Sequence, residues 1–166
     1  MSRSSLLRTA AVTLALTAAA GSTVLVTAGV SSAANKDTGG SGRTLTAELS
    51  GANEISSTGV AGVGDRDGAG QAEITVNAGR GEVCFTLKWQ DIGRLAAAHV
   101  HEAAAGANGP IVFGFPSSTF TPGKATGCTS VDGEVLRGIL TDPTGYYVNF
   151  HTAEFPGGAV RGQLSK

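Results

Sequence analysis

The stretch Gln71-Ala72-Glu73-Ile74-Thr75-Val76, Asn77-Ala78-Gly79-Arg80-Gly81, Glu82-Val83-Cys84-Phe85-Thr86-Leu87-Lys88-Trp89-Gln90 decides the fold class. Its first and last runs alternate apolar and polar residues, the period of a half-buried strand. In the last run Val83, Phe85, Leu87 and Trp89 fall on one face, and Cys84, Thr86 and Lys88 fall on the other. The Asn- and Gly-containing link between the runs has hairpin turn chemistry.

Working outward, residues 44–49, 96–101, 111–115, 146–152 and 159–164 read as further short strands. Pro156-Gly157-Gly158 is the turn between the last two. Val135, Leu136, Ile139 and Leu140 are spaced for a short helix that Asp132 caps and Pro143 stops. The segment from Pro143 to Tyr147 reads as a turn into a core strand. On that strand Tyr146, Val148 and Phe150 make the more apolar face, expected in the core. Tyr147, Asn149 and His151 share the other, which leaves Asn149 and His151 on a polar face or a pocket rim. Phe113 and Phe115 share a face and read as core. Asp65-Arg66-Asp67-Gly68 opens like a calcium loop, but the later ligand positions and flanking helices are missing, so it reads as a turn. Seven short strands, one helical segment and 25 glycines argue for a sandwich or barrel.

The N-terminus reads as a leader of another kind. Arg3 and Arg8 form a positive n-region, residues 10–30 are almost wholly Ala, Val, Leu, Thr and Gly, and Ser31-Ser32-Ala33-Ala34 offers a signal-peptidase site. We read 1–34 as a signal peptide, 35–42 as a flexible Gly-rich leader and 43–166 as one domain. The competing reading of the apolar run is a membrane anchor. The poverty in Leu and Ile and the missing basic stop-transfer flank argue against it. The protein is thus expected outside the cell, secreted, with no membrane association after cleavage. The formal net charge is −1, and removing the charges of Arg3 and Arg8 makes it −3. A mildly acidic chain without a basic stripe is a poor nucleic-acid ligand. In an oxidising compartment the 2 cysteines, Cys84 and Cys128, are expected to form a disulfide, closing a loop of about 45 residues and contributing roughly 4 kcal/mol. Free or metal-binding thiols are the alternative, disfavoured because neither belongs to a C-x-x-C pair.

Two stretches carry a family signature. One is Ala98-His99-Val100-His101 with Asn108-Gly109-Pro110-Ile111-Val112. The other is Tyr146-Tyr147-Val148-Asn149-Phe150-His151-Thr152 with Phe155-Pro156-Gly157-Gly158-Ala159-Val160-Arg161-Gly162-Gln163-Leu164. Together they resemble the CHRD domain, named from repeats in chordin and common as a single copy in secreted bacterial proteins. The resemblance spans roughly residues 45–164. It implies an extracellular binding or interaction module, and its bacterial members often carry the cysteine pair. In chordin the modules belong to a growth-factor-binding protein, a partner that does not transfer with the fold. His99-Val100-His101-Glu102 is also similar to the copper-binding stretch of copper,zinc superoxide dismutases. In chain order His151 matches a further copper ligand there, and Arg161 the late arginine beside the copper. The bridging histidine, the remaining zinc ligands and the long electrostatic loop have no counterpart. The fold expected is therefore mostly β, an antiparallel β-sandwich of immunoglobulin-like or superoxide-dismutase-like Greek-key type with one short helix.

All 3 histidines lie in these stretches. His99 and His101, two apart on a strand, share a face about 6.6 Å apart. They can reach one metal together, and His151 adds a third nitrogen if its strand is adjacent. Imidazole suits copper or zinc among others. The plainer reading makes these rings hydrogen-bond partners of Thr152, Asn149, Tyr146 or Tyr147, or pins for the Gly109-Pro110 loop. Arg161 reads more plainly as half of a salt bridge on the sheet. No G-x-S-x-G elbow and no evident carboxylate pair point to an enzyme. Three readings follow: a secreted module binding an unidentified extracellular protein or surface component, a copper or zinc protein using His99, His101 and His151, and a superoxide-dismutase-like redox enzyme.

Overall fold

The computed structural model describes residues 42–166; the expected signal peptide and nearly all of the expected leader lie outside them. The elements are β1 (Arg43–Ser50), β2 (Ala69–Asn77), β3 (Glu82–Gln90), β4 (Leu95–Glu102), β5 (Ile111–Gly114), β6 (Phe120–Thr121), β7 (Lys124–Ser130), α1 (Gly133–Thr141), β8 (Tyr146–Thr152) and β9 (Val160–Gln163). All strand pairings are antiparallel, in the order β5-β4-β8-β9-β1-β2-β3-β7-β6.

The deciding hairpin forms as its pattern dictates. Ala72, Ile74 and Val76 of β2 stand opposite Leu87, Phe85 and Val83 of β3, and all six are buried. Beyond them Gly70 faces Trp89. The missing side chain leaves room for Phe150 of β8, whose ring a Cβ at Gly70 would meet at 2.9 Å. The Trp89 and Phe150 rings pack edge-on at 6.1 Å. Phe85 likewise meets Phe115, just past β5, at 4.8 Å. The sheet is therefore curled, with its two halves sharing one core in the manner of a sandwich. Its halves are joined by β1 and β9, where Ser50 pairs with Arg161 and Gly162 lies against the Glu48 carbonyl. The helix forms as read. Asp132 Oδ1 accepts from the Glu134 and Val135 backbone N–H groups, and Leu136 and Ile139 are fully buried.

One expectation changes. The described residues hold nine strands rather than seven. The additions are β6, two residues long, and β7, whose polar run shows Ala125 as its one buried hydrophobic residue. What fixes β7 is its pairing along β3, which sets Cys84 opposite Cys128 in a disulfide. No free cysteine remains. The Asp65–Gly68 segment is a turn, as read, with Asp65 Oδ1 accepting from the Asp67 N–H. Among the described residues no helix is long and apolar enough to cross a membrane.

Candidate functional site

The pleat of β4 turns His99 and His101 to one face. Against β8, His99 stands opposite Asn149, His101 opposite Tyr147, and Ala97 opposite His151. His151 is therefore the diagonal neighbour of His99 on that face. Ring centroids lie 5.0 Å apart for His99 and His151, 5.9 Å for His99 and His101, and 6.5 Å for His101 and His151. One ring nitrogen from each histidine lies within 4.8 Å of those of the other two. All three histidines singled out in the sequence thus meet in one cluster.

Backbone carbonyls hold two of the rings. His101 Nδ1 donates to the Gly109 oxygen at 3.0 Å and His151 Nδ1 to the Pro156 oxygen at 3.1 Å. A carbonyl only accepts, so in the neutral ring each Nδ1 carries the hydrogen and each Nε2 keeps its lone pair. Those two Nε2 atoms and His99 Nδ1 are buried without a hydrogen-bond partner among the described residues. The side-chain partners expected from the sequence do not hydrogen-bond to the rings. Tyr147 stacks flat on His101 instead, at 4.7 Å and 6°. The loop-pinning reading holds for His101, through its Nδ1 alone.

Burial is the first cause that lowers all three imidazoles below their ordinary 6.5. For His99, repulsion from His151 and then His101 adds to it. For His101 the Gly109 carbonyl opposes the fall and Arg161 deepens it. For His151 the Pro156 carbonyl opposes and His101 deepens it. The rings therefore favour the neutral form, in which a ring nitrogen has a lone pair to give.

Arg161 departs from its expected salt bridge. It stands opposite Asn149 in the β8–β9 register and is 3% exposed. Its Nη1 donates to Asn108 Oδ1 at 2.7 Å and its Nη2 to the Ala107 oxygen at 2.8 Å. The guanidinium carbon lies 4.3 Å from the Tyr147 ring centroid, a cation–π contact. The β4–β5 loop has folded over the sheet and taken the donors that a carboxylate would have used.

Glu54 is the residue that sequence reading missed. It is 1% exposed, and its Oε2 accepts from Asn149 Nδ2 at 3.4 Å. Burial pushes its carboxyl up to about 7, against the opposing pull of Arg161, the Asn149 hydrogen bond and the Ile55 backbone. Glu54 Oε1 and Asn149 Oδ1 have no partner among the described residues. Gly158, at φ 139°, leaves room for this carboxyl: a Cβ there would sit 2.5 Å from Oε2. Beside the network opens a hollow of about 510 Å³, whose lining includes His101, Asn108, Tyr147, Asn149 and Pro156. Of the two residues expected on a polar face or pocket rim, Asn149 lines this hollow, only 3% exposed, and His151 does not.

The sequence model of the CHRD domain matches residues 45–164. The chain belongs to the CHRD domain family. The match runs from β1 past the end of β9, so the CHRD domain takes in the three histidines, Glu54, Arg161 and the disulfide. No curated protein and no solved structure matches the chain.

Proposed function

We propose that this CHRD domain is a secreted binding module that holds one copper or zinc ion on His99, His101 and His151. The supporting observation is a cluster of three histidines, each with a buried ring nitrogen that has no partner among the described residues. Metal-ligating histidines characteristically donate their other N–H to a carbonyl or carboxylate, and His101 and His151 do so to Gly109 and Pro156. Zinc takes imidazole nitrogen at about 2.0–2.1 Å, which sets tetrahedral donors about 3.3 Å apart. Nitrogens within 4.8 Å of one another stand no more than about 1.5 Å beyond that spacing. Neutral rings also spare the metal from competing with protons.

Export is supported by the n-region, the apolar run and the cleavage site, and by the Cys84–Cys128 bridge, which belongs to an oxidising compartment. The partner on this reading is an extracellular protein or surface component. Binding is favoured over catalysis because the ring cluster has no nucleophile or carboxylate pair of its own.

The test is a titration of copper(II) and zinc(II) into the protein and into His101→Ala. One equivalent is expected to bind at micromolar concentration or tighter, with the affinity lost in the variant. If the unaltered protein takes up neither metal at micromolar levels, the interaction module stands without a metal. Superoxide or peroxide turnover by the copper-loaded protein would instead support the redox enzyme.

A further inference from the structure

A second concavity has no histidine in its lining and shares no lining residue with the hollow beside Glu54. It is an open hollow of about 990 Å³. Its aromatic wall is Trp89, at the end of β3, with Phe120 of β6 packed edge-on against it at 6.3 Å. Pro122 adds to the apolar surface. Gly93, Ala96 and Ala153 line the hollow without filling it; a Cβ at Gly93 would meet nothing within 4 Å. A surface concavity with an aromatic wall and a few polar groups has the form of a small-molecule site.

The charge of the lining is one-sided. Arg94 is its single ionisable residue, and the guanidinium has no hydrogen bond or ion pair among the described residues. The Ser117 hydroxyl at the rim is also without a partner among them. A guanidinium binds a carboxylate through two parallel hydrogen bonds, geometry that a neutral amide does not match.

We propose that this hollow binds a small amphiphilic carboxylate, with its apolar body against Trp89 and Phe120 and its carboxylate on Arg94. Metal does not enter the argument, so the site stands or falls apart from the histidine cluster. Trp89 is the chain's one tryptophan, so its emission comes from this wall of the hollow. The experiment titrates 3-phenylpropionate and its neutral amide into the purified protein, excited where only tryptophan absorbs. The acid is expected to change Trp89 emission saturably at about millimolar concentration or lower. Arg94→Gln is expected to weaken the acid roughly tenfold or more, down to the level of the amide, which is itself unaffected. Ala96→Leu, which places a larger side chain in the hollow, is expected to remove both. Absence of a saturable response to the acid overturns the proposal. So does undiminished acid binding by Arg94→Gln, or Trp89 emission that varies with protein concentration alone, which would assign the hollow to a second copy of the chain.

Discussion

Replacing Glu54 by Gln should stabilise this protein, and only above acidic pH. The folded carboxyl titrates at about 7 and the unfolded one at its ordinary 4.5. Between those values the folded chain keeps a proton that the unfolded chain has lost. Stability therefore falls as pH rises through that interval and is flat on either side of it. At about 1.4 kcal/mol per pH unit, the interval is worth about 3 kcal/mol. Glu54 is 1% exposed, so solvent does not screen this appreciably. The attraction of Arg161 is already contained in the value of about 7. Gln is neutral at every pH, and its amide can donate to the partnerless Asn149 Oδ1. Glu54→Gln should match the parent protein near pH 4.5 and exceed it by up to about 3 kcal/mol at pH 8, or about 10 °C in Tm. Urea denaturation of both proteins at pH 5 and pH 8 measures this. The histidine contributions are common to both and cancel in the difference. A variant no more stable than the parent at pH 8, or an advantage equal at both pH values, would refute the reasoning.

Other outcomes follow from the same geometry. The lowered imidazoles have the opposite sign to Glu54: below 6.5 the unfolded chain binds protons that the folded chain refuses, so metal-free protein loses stability as pH falls. Replacing the three histidines by Gln should flatten that acid limb in a pH series of urea midpoints. Joint Cys84→Ser and Cys128→Ser substitution opens a loop of 44 residues' separation and should cost about 4 kcal/mol, read from the same midpoints. Phe150→Ala empties the space over Gly70 and should cost about 3–5 kcal/mol. Asp132→Ala removes the cap of α1 and should cost about 1 kcal/mol, detectable as a lower Tm.

What was legible in the sequence was whatever depends on neighbours along the chain. The β2–β3 hairpin, the cap at Asp132 and the apolar face of Tyr146, Val148 and Phe150 are local patterns, and each forms. Strand β7 was not legible, because Lys124, Thr126, Cys128 and Ser130 carry no apolar alternation, and β3 supplies the ladder that makes them a strand. The three histidines were legible as a set through their spacing and the family resemblance, whereas the orientation of their rings was not. For His101 and His151 that orientation comes from the Gly109 and Pro156 carbonyls, 8 and 5 residues away from the rings they hold. Glu54 gave no signal at all. It stands alone in a polar loop, and only the folding of that loop against Asn149 and Gly158 reveals a buried acid.

The face that carries the histidines breaks the usual bargain of a sheet, in which the polar face meets water. Tyr147 is 2% exposed, Asn149 3% and Arg161 3%, although none belongs to the face that packs in the apolar core. Loops cover them, and those loops are rich in glycine and proline where they matter. A Cβ at Gly109 would collide with the Glu102 carbonyl, and one at Gly158 with the Glu54 carboxyl. Bare backbone of this kind approaches closely and presents carbonyl oxygens without side chains of its own. Gly109, Pro156 and Ala107 each spend a carbonyl on a ring or a guanidinium of the sheet. Covering this face and orienting its imidazoles are consequently one structural act. A substitution that lifts a loop, such as Gly109→Val, should release the His101 ring and expose the cluster together, rather than one without the other.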